Sequence, residues 1–185
     1  AYITQDIGVK NIHNRYYHLL LLVQNKVGYK NICRLIAESY TKGFYFKPRI
    51  DYSLLKKYNE GIIATSTCIG GHIPQLLLNN QYDDAKKVLE NLVSFFYDCY
   101  YLEIQPPYLE QQGIINQEIF KLEKEFNIPV VLTGDCHYAT KEDKFAHEVM
   151  LAVQTRTNMA DPQRMTFGNS QCHIQSFDEL LGYFP

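Results

Sequence analysis

The stretch that decides the fold is IPVVLTGDCHY, residues 128–138. Its apolar half has the composition of a buried strand, and Asp135 and His137 follow directly. If the chain stays extended there, residues two apart point to the same side, so a carboxyl group and an imidazole would converge. Because α/β folds place their chemistry at the carboxyl ends of parallel strands, the stretch indicates a divalent metal site. The alternative, which an isolated pair of this kind favours, is a turn aspartate and a surface histidine.

The chain on either side of this stretch alternates between strand patterns and helix patterns. Predicted strands cover residues 17–23, 61–66, 100–105 and 128–133, and predicted helices cover residues 26–38, 85–96, 111–126 and 140–153. Parallel strands need long crossovers, which helices provide, so we predict an α/β fold, either a barrel or a doubly wound sheet. The apolar first strand is expected to be buried on both faces. No repeat or linker interrupts the pattern, so one domain or part of one is expected.

Four further polar side chains are candidates for the same site. Cys68 follows the predicted strand at residues 61–66 and could complete a zinc shell, although an isolated cysteine is more often an inert core residue. His18 lies within an apolar run, where a histidine is usually buried and hydrogen-bonded. Glu103 lies inside an apolar strand, where a carboxyl group needs a partner or an open cleft. His72 could be a ligand or a cap, and a loop histidine near a helix start is the favoured interpretation.

Several charged residues are candidates for other contacts. Lys47, Arg49 and Arg164 could bind phosphate or another domain, because cations beside aromatic rings can hold anions. The alternative for each of them is ordinary surface charge. His147 and Glu148 lie on the last predicted helix, where solvated side chains are expected.

Composition excludes several classes of protein. The 185 residues have a formal net charge of −2, and the lysines and arginines are scattered, so there is no electrostatic footprint for nucleic acid. No apolar run approaches the roughly 20 residues of a transmembrane helix, and no signal peptide is recognisable. We therefore expect a cytoplasmic protein with no membrane partner. Because the chain starts at Ala1 without a methionine, we also expect a fragment of a longer protein.

Five segments, taken together and in order, resemble one family. They are YHLLLLVQN at 17–25, GFYFKPRID at 43–51, TSTCIGGHIP at 65–74, NIPVVLTGDCHY at 127–138 and DPQRM at 161–165. In this order and spacing they resemble the PHP (polymerase and histidinol phosphatase) domain of the bacterial DNA polymerase III alpha subunit. Each segment alone is a modest signal, whereas the ordered set is specific and spans nearly the whole chain.

The resemblance implies a fold and a set of metal ligands. The fold would be a distorted (β/α)7 PHP barrel, with residues 1–185 forming a partial PHP domain that lacks the first strands on its N-terminal side and leads toward the polymerase core at its C-terminal side. The residues on ligand positions for zinc or manganese are His18, Cys68, Asp135 and His137, with Glu103 and His72 as additional candidates. About half of the family's metal shell is absent, so a metal ion would bind weakly in this fragment.

The resemblance also implies an activity and partners. The intact protein would be a DNA-directed DNA polymerase, a nucleotidyltransferase that acts on DNA and dNTPs with magnesium in a polymerase domain absent from this chain. Its partners would be a proofreading exonuclease subunit, the sliding clamp and clamp-loader subunits. The PHP site would perform metal-dependent phosphoester hydrolysis of the 3′→5′ exonuclease type. The alternatives are a non-catalytic PHP scaffold that stabilises the polymerase and docks a separate proofreading exonuclease, and a free-standing PHP phosphatase, which the segments at 43–51 and 161–165 disfavour.

Overall fold

The computed structural model describes residues 1–184, which form seven strands and seven α-helices. The strands are β1 (Tyr2–Thr4), β2 (Tyr16–His18), β3 (Leu20–Val23), β4 (Arg49–Asp51), β5 (Ile62–Thr65), β6 (Tyr100–Ile104) and β7 (Val130–Leu132). The helices are α1 (Lys26–Thr41), α2 (Tyr52–Lys57), α3 (His72–Leu78), α4 (Tyr82–Phe96), α5 (Glu110–Phe126), α6 (Lys144–Thr155) and α7 (Phe177–Leu181). Short 3-10 turns at Tyr97–Cys99 and Lys141–Asp143 precede β6 and α6.

The larger sheet contains the strands that end at the candidate site. Its order is β3-β5-β6-β7, and β5, β6 and β7 are parallel, with Ala64 opposite Tyr100 and Leu102 opposite Val130. The predicted parallel arrangement is confirmed for these three strands. Their carboxyl ends therefore lie along one edge of the sheet, which is where the candidate site begins.

The apolar run at residues 17–23 does not form one strand. It is divided at Leu19, whose N–H donates to the Ala1 carbonyl at 3.0 Å and whose side chain is buried. The residues before Leu19 belong to β2 and those after it to β3, which are in different sheets. β3 is antiparallel to β5 and lies at the edge of its sheet, and the side chains of Leu22 and Val23 are each 47% exposed. The prediction of one strand buried on both faces is therefore wrong.

The smaller sheet has the order β2-β1-β4. β1 pairs antiparallel with β2, placing Tyr2 opposite His18, and pairs parallel with β4, placing Ile3 opposite Ile50. This sheet brings His18 to the end of its strand. The sequence pattern placed it near a strand start, because the division of the run was not visible.

Helices cover the larger sheet with the apolar faces that the sequence indicates. On α4 the residues Ala85, Leu89 and Leu92 are buried at helical spacing. Burial of one leucine of this kind contributes about 1.5–3 kcal/mol relative to an exposed side chain. They pack with the strand residues Ala64 and Leu102, both fully buried, to form one core.

The start of α6 follows the predicted capping pattern. The Asp143 carboxylate accepts hydrogen bonds from the Thr140 N–H at 2.9 Å and from the Thr140 hydroxyl at 3.1 Å. The first turn after this capping box is a 3-10 turn, and α6 begins at Lys144.

The α/β class is confirmed by the mixture of helices and parallel strands. The strands form two separately hydrogen-bonded sheets, so the distorted (β/α)7 barrel, incomplete on its N-terminal side, stays a prediction. Within residues 1–184, no helix is long and apolar enough to cross a lipid bilayer.

Candidate functional site

The first pair of candidate ligands joins the two sheets. His18 ends β2, and Cys68 lies in the loop that follows β5. The His18 Nδ1 atom lies 3.4 Å from the Cys68 Sγ atom, and the edge of the imidazole faces the ring of Tyr2. The sequence separates these two residues by 50 positions. Their contact is therefore produced by the packing of the two sheets.

A glycine makes the contact between His18 and Cys68 possible. The His18 N–H donates to the Gly70 carbonyl at 2.8 Å, which brings β2 against the loop after β5. A Cβ atom on Gly70 would lie 2.9 Å from the His18 Nδ1 atom. The residue at this position must therefore lack a side chain for the imidazole to keep its place.

The second pair lies in the loop after β7. The His137 Nε2 atom is 3.5 Å from the Asp135 Oδ2 atom, and both side chains are a little over one third exposed, at 37% and 39%. Asp135 has a φ of 47°, so the backbone there is left-handed and not extended. The predicted convergence of the two side chains is found, although a turn and not a continued strand produces it. The His137 N–H donates to the Cys172 carbonyl at 2.7 Å, which holds the loop in place.

Asp135 connects the two pairs electrostatically. Partial burial lowers the pKa of His18, and the N-terminal ammonium group lowers it further, whereas the nearby Asp135 carboxyl group opposes both effects. Burial also raises the pKa of the Cys68 thiol, and Asp135 acts in the same direction. Because the same carboxyl group influences both members of the first pair, the two pairs share one electrostatic environment.

The four side chains match a divalent metal ion in kind but not in arrangement. Nitrogen, sulfur and carboxyl oxygen are suitable ligands for zinc, and the two pairs each contribute two of them. Within the part of the chain that the structure describes, no three His, Cys, Asp or Glu side chains come close enough to hold one ion. The residues therefore do not form a closed metal shell by themselves.

Glu103 lies between the two loops but has other partners. It is 3% exposed, and its carboxyl oxygens accept hydrogen bonds from the Thr65 hydroxyl, the Thr133 hydroxyl and the Gln105 side-chain amide. A carboxyl group in an apolar strand needs a partner, and for Glu103 that partner is a set of neutral hydrogen-bond donors. Both oxygens are engaged, which leaves Glu103 outside the two pairs.

His72 also has partners other than the two pairs. It begins α3, its ring stacks on Tyr17 with centroids 4.1 Å apart, and its Nδ1 atom lies 2.5 Å from the Tyr52 hydroxyl. Burial lowers the pKa of His72 to about 4, so the imidazole is neutral at physiological pH. The position at a helix start agrees with the favoured interpretation of this histidine.

Comparison with known proteins identifies the family. The family profile described as "PHP domain" matches residues 2–107, which is more than half of the chain. The chain belongs to the PHP domain family.

Over most of its length the chain is also similar to two bacterial proteins that share one name. It is 38% identical over 168 residues to the DNA polymerase III subunit alpha of Borreliella burgdorferi, covering 91% of this chain and 15% of that protein. It is 38% identical over 176 residues to the protein of the same name from Thermus aquaticus, covering 95% of this chain and 14% of that protein. The chain thus spans about one seventh of the length of these relatives.

A small cleft lies beside the second pair. It has a volume of about 110 Å³ and is lined by Ile69, Tyr108, Asp135, Phe167 and Cys172, among others. The cleft is at the carboxyl ends of β6 and β7, where chemistry is expected in an α/β fold. Its walls are mostly apolar, and Asp135 supplies a carboxyl group at its border.

Glu148 is a residue of this region whose role the sequence analysis missed. It was expected to be solvated, but it is 7% exposed and pairs with Arg164. Its carboxylate also accepts from the Phe167 N–H at 3.0 Å, and the Phe167 ring packs against His137 with centroids 4.7 Å apart. Glu148 therefore holds one wall of the second pair. Its spacing from the buried Leu151 was the available signal, since residues three apart share a helix face.

The remaining charged candidates are corrected in part. Arg49 is fully buried and donates to the carbonyls of Gly43, Ile7 and Val9, so it is not a surface contact for phosphate. Its guanidinium gives the Ile7 carbonyl a donor and shares the Val9 carbonyl with the Asn14 side-chain amide. Lys47 is exposed, with its ammonium group 5.7 Å from the centre of the Tyr2 ring, and stays a candidate.

His147 is half-buried, not solvated as expected. Its ring contacts those of Tyr138 and Phe167, with centroids 5.2 Å and 5.0 Å away. Together with Phe167 it forms an aromatic wall behind His137. The neighbouring loop folds over α6, which explains why the helix pattern alone did not reveal this burial.

Proposed function

We propose that this chain is the PHP portion of a bacterial replicative DNA polymerase alpha subunit and that the intact protein is a DNA-directed DNA polymerase. The observation that supports this most strongly is the similarity over 91% and 95% of the chain to proteins named DNA polymerase III subunit alpha. The polymerising residues and their magnesium ions would lie in the rest of the protein. Its substrates would be DNA and dNTPs, and its partners a proofreading exonuclease subunit, the sliding clamp and clamp-loader subunits.

For the site itself, we propose that the two pairs are metal-facing positions. His18 with Cys68 and Asp135 with His137 supply the donor types that zinc or manganese accepts. Each pair needs at least one further ligand before it can hold an ion tightly, so the site would be completed by other residues of the longer protein. Phosphoester hydrolysis of the exonuclease type is the activity that a completed site would support.

A second candidate function is a non-catalytic scaffold that stabilises the polymerase and docks a proofreading exonuclease. This candidate is favoured by the lack of any three-ligand group among residues 1–184. It is disfavoured by the presence of both pairs on ligand positions, because a scaffold alone has no need of metal-ligand side chains.

The two candidates are separated by metal analysis of the full-length protein. We expect bound zinc or manganese in the wild type and its loss in the double variant Asp135→Asn with His137→Ala. The matched control is Asp83→Asn with His13→Ala, which changes the same residue types at exposed positions away from the site. If neither the wild type nor the variants contain metal, the metal-facing assignment is wrong and the scaffold is supported.

Catalysis is tested separately. With the polymerase site disabled, we expect the full-length protein to remove mismatched 3′ nucleotides, and the Asp135/His137 double variant to lose that activity while the control keeps it. Extension of a primed template by the full-length protein tests the polymerase assignment. If the full-length protein does not extend primers, the polymerase assignment is wrong.

A further inference from the structure

The buried carboxyl group of Glu103 connects the two loops that carry the candidate pairs. Its Oε2 atom accepts from the Thr65 hydroxyl at 2.5 Å, and its Oε1 atom accepts from the Thr133 hydroxyl at 2.6 Å. Thr65 is the last residue of β5, and Thr133 directly follows β7. Glu103 lies on β6 between these strands, so one carboxyl group reaches both neighbours.

The Thr65 side is linked onward to Cys68. Besides donating to Glu103, the Thr65 hydroxyl accepts from the Thr67 N–H at 3.1 Å. Thr67 has a φ of 59°, a left-handed conformation that is unfavourable for a β-branched residue. The hydrogen bond therefore stabilises the turn that directs the next residue, Cys68, toward His18.

The Thr133 side leads to Asp135 along the chain itself. Thr133 is two residues before Asp135, whose left-handed φ of 47° turns the loop so that its carboxyl group meets His137. Thr133 also donates its N–H to the Ile104 carbonyl at 3.1 Å, and its hydroxyl lies 3.3 Å from the Gln105 side-chain amide. The start of this loop is thus held by β6 and by Gln105, the residue that follows it.

These contacts distinguish Glu103 from an ordinary core residue. A buried carboxyl group is unfavourable unless several donors satisfy it, and here all three side-chain donors come from residues at the carboxyl edge of the sheet. An apolar residue would fill the same space at β6 without this cost. The network is therefore best explained by what it positions.

We propose that Glu103 is a positioning residue, which fixes the Cys68 loop and the Asp135 loop relative to each other through one carboxyl group. Its purpose rests on the function proposed for the two pairs, but its structural effect does not require metal or DNA. Replacement of Glu103 should loosen both loops together, although 67 positions of sequence separate Cys68 from Asp135.

The test is hydrogen exchange, followed by mass spectrometry, in the full-length protein without added metal. In Glu103→Leu we expect exchange to rise about tenfold in both segments, 66–71 and 133–137, because two buried donors and one partly buried donor lose their acceptor. Glu103→Gln keeps one oxygen acceptor and the shape of the side chain, and should stay within about threefold of the wild type. The control Asp51→Asn alters another buried carboxyl group, which accepts from the backbone of Ile7 and Leu54, and should leave both segments unchanged.

Two further variants keep the test decisive if Glu103→Leu does not fold. Thr65→Val should raise exchange mainly in segment 66–71, and Thr133→Val mainly in segment 133–137. The proposal is overturned if Glu103→Leu loosens one segment only or neither, or if both threonine variants leave their segments unchanged. Failure of the metal or polymerase assays would not alter these exchange rates, so the two proposals fail independently.

Discussion

Two glycines in the first turns of helices provide a sharp test of how the chain packs. Gly28 is the third residue of α1, and Gly113 is the fourth residue of α5. A Cβ atom on Gly28 would lie 1.7 Å from the backbone carbonyl oxygen of Gly61, whereas one on Gly113 would meet nothing closer than the Pro107 Cβ atom at 3.8 Å. Alanine at both positions therefore makes the same chemical change in opposite environments.

The expected free energies follow from these distances. Alanine gains about 0.5–1 kcal/mol over glycine within a helix, and Gly113→Ala should show most of this gain. In Gly28→Ala the same gain is outweighed, because α1 must move away from a backbone atom that cannot rotate aside, at a cost of about 3 kcal/mol. The net loss of roughly 2 kcal/mol corresponds to a melting temperature lower by about 4–8 °C for a domain of this size.

The assay is thermal and urea unfolding of the 185-residue chain, with wild type and both variants measured together. We expect Gly28→Ala to unfold at a lower temperature and Gly113→Ala at an equal or slightly higher one. If Gly28→Ala is as stable as the wild type, α1 does not lie against the Gly61 carbonyl. The packing of α1 on the larger sheet would then have to be revised.

Three further predictions concern the site and its surroundings. Burial acts to raise the pKa of Glu148, but its partner Arg164 and two further hydrogen-bond donors outweigh burial and lower the pKa from 4.5 to about 2. Because the pKa is lowered in the folded state, the stability that Glu148 contributes is present above pH 4.5 and is lost as the pH falls toward 2. A lowering of this size corresponds to at most about 3 kcal/mol, and the difference in unfolding free energy between wild type and Glu148→Gln should shrink from pH 6 to pH 3; a constant difference would contradict the assignment. Gly70→Ala should displace the exposed His18 ring at a cost below about 1 kcal/mol. The displaced ring should leave Cys68 more accessible, so alkylation of Cys68, measured by peptide mass spectrometry, should be faster. Unchanged labelling would argue against the contact between His18 and Cys68. Asn127 has a φ of 54° at the end of α5, a left-handed conformation that valine disfavours. Asn127→Val should therefore lower the free energy of unfolding by about 1–2 kcal/mol, measured by thermal unfolding, and Asn127→Gly should not. Equal unfolding midpoints for the two variants would refute the left-handed cap.

Much of the local structure could be predicted from the sequence. The apolar spacing on α4 predicts the face that is buried, and Thr140 with Asp143 predicts the cap before α6. The two-residue spacing of Asp135 and His137 predicts that their side chains meet, although a left-handed turn and not the expected extended chain brings them together. These features depend on residues close together in the chain, for which periodicity and turn chemistry are sufficient.

The errors of prediction have a common physical cause. The run at residues 17–23 is divided because β2 and β3 find partners in different sheets, and no residue within the run signals the change. Glu148 and Arg49 are buried because distant loops fold over them and satisfy their charges or donors. Charged residues of this kind resemble surface residues in a sequence, since their partners are many positions away.

The sequence by itself determined the α/β class, the parallel direction of β5, β6 and β7, and the family to which the chain belongs. Local patterns and ordered motifs carry that information, because helices and strands form from neighbouring residues. The tertiary structure decided that His18 meets Cys68, that Asp135 influences both of them, and that Glu103 is held by threonines of two neighbouring strands. These contacts join residues from separate strands and loops, and only the packing of the sheets brings them within hydrogen-bonding distance.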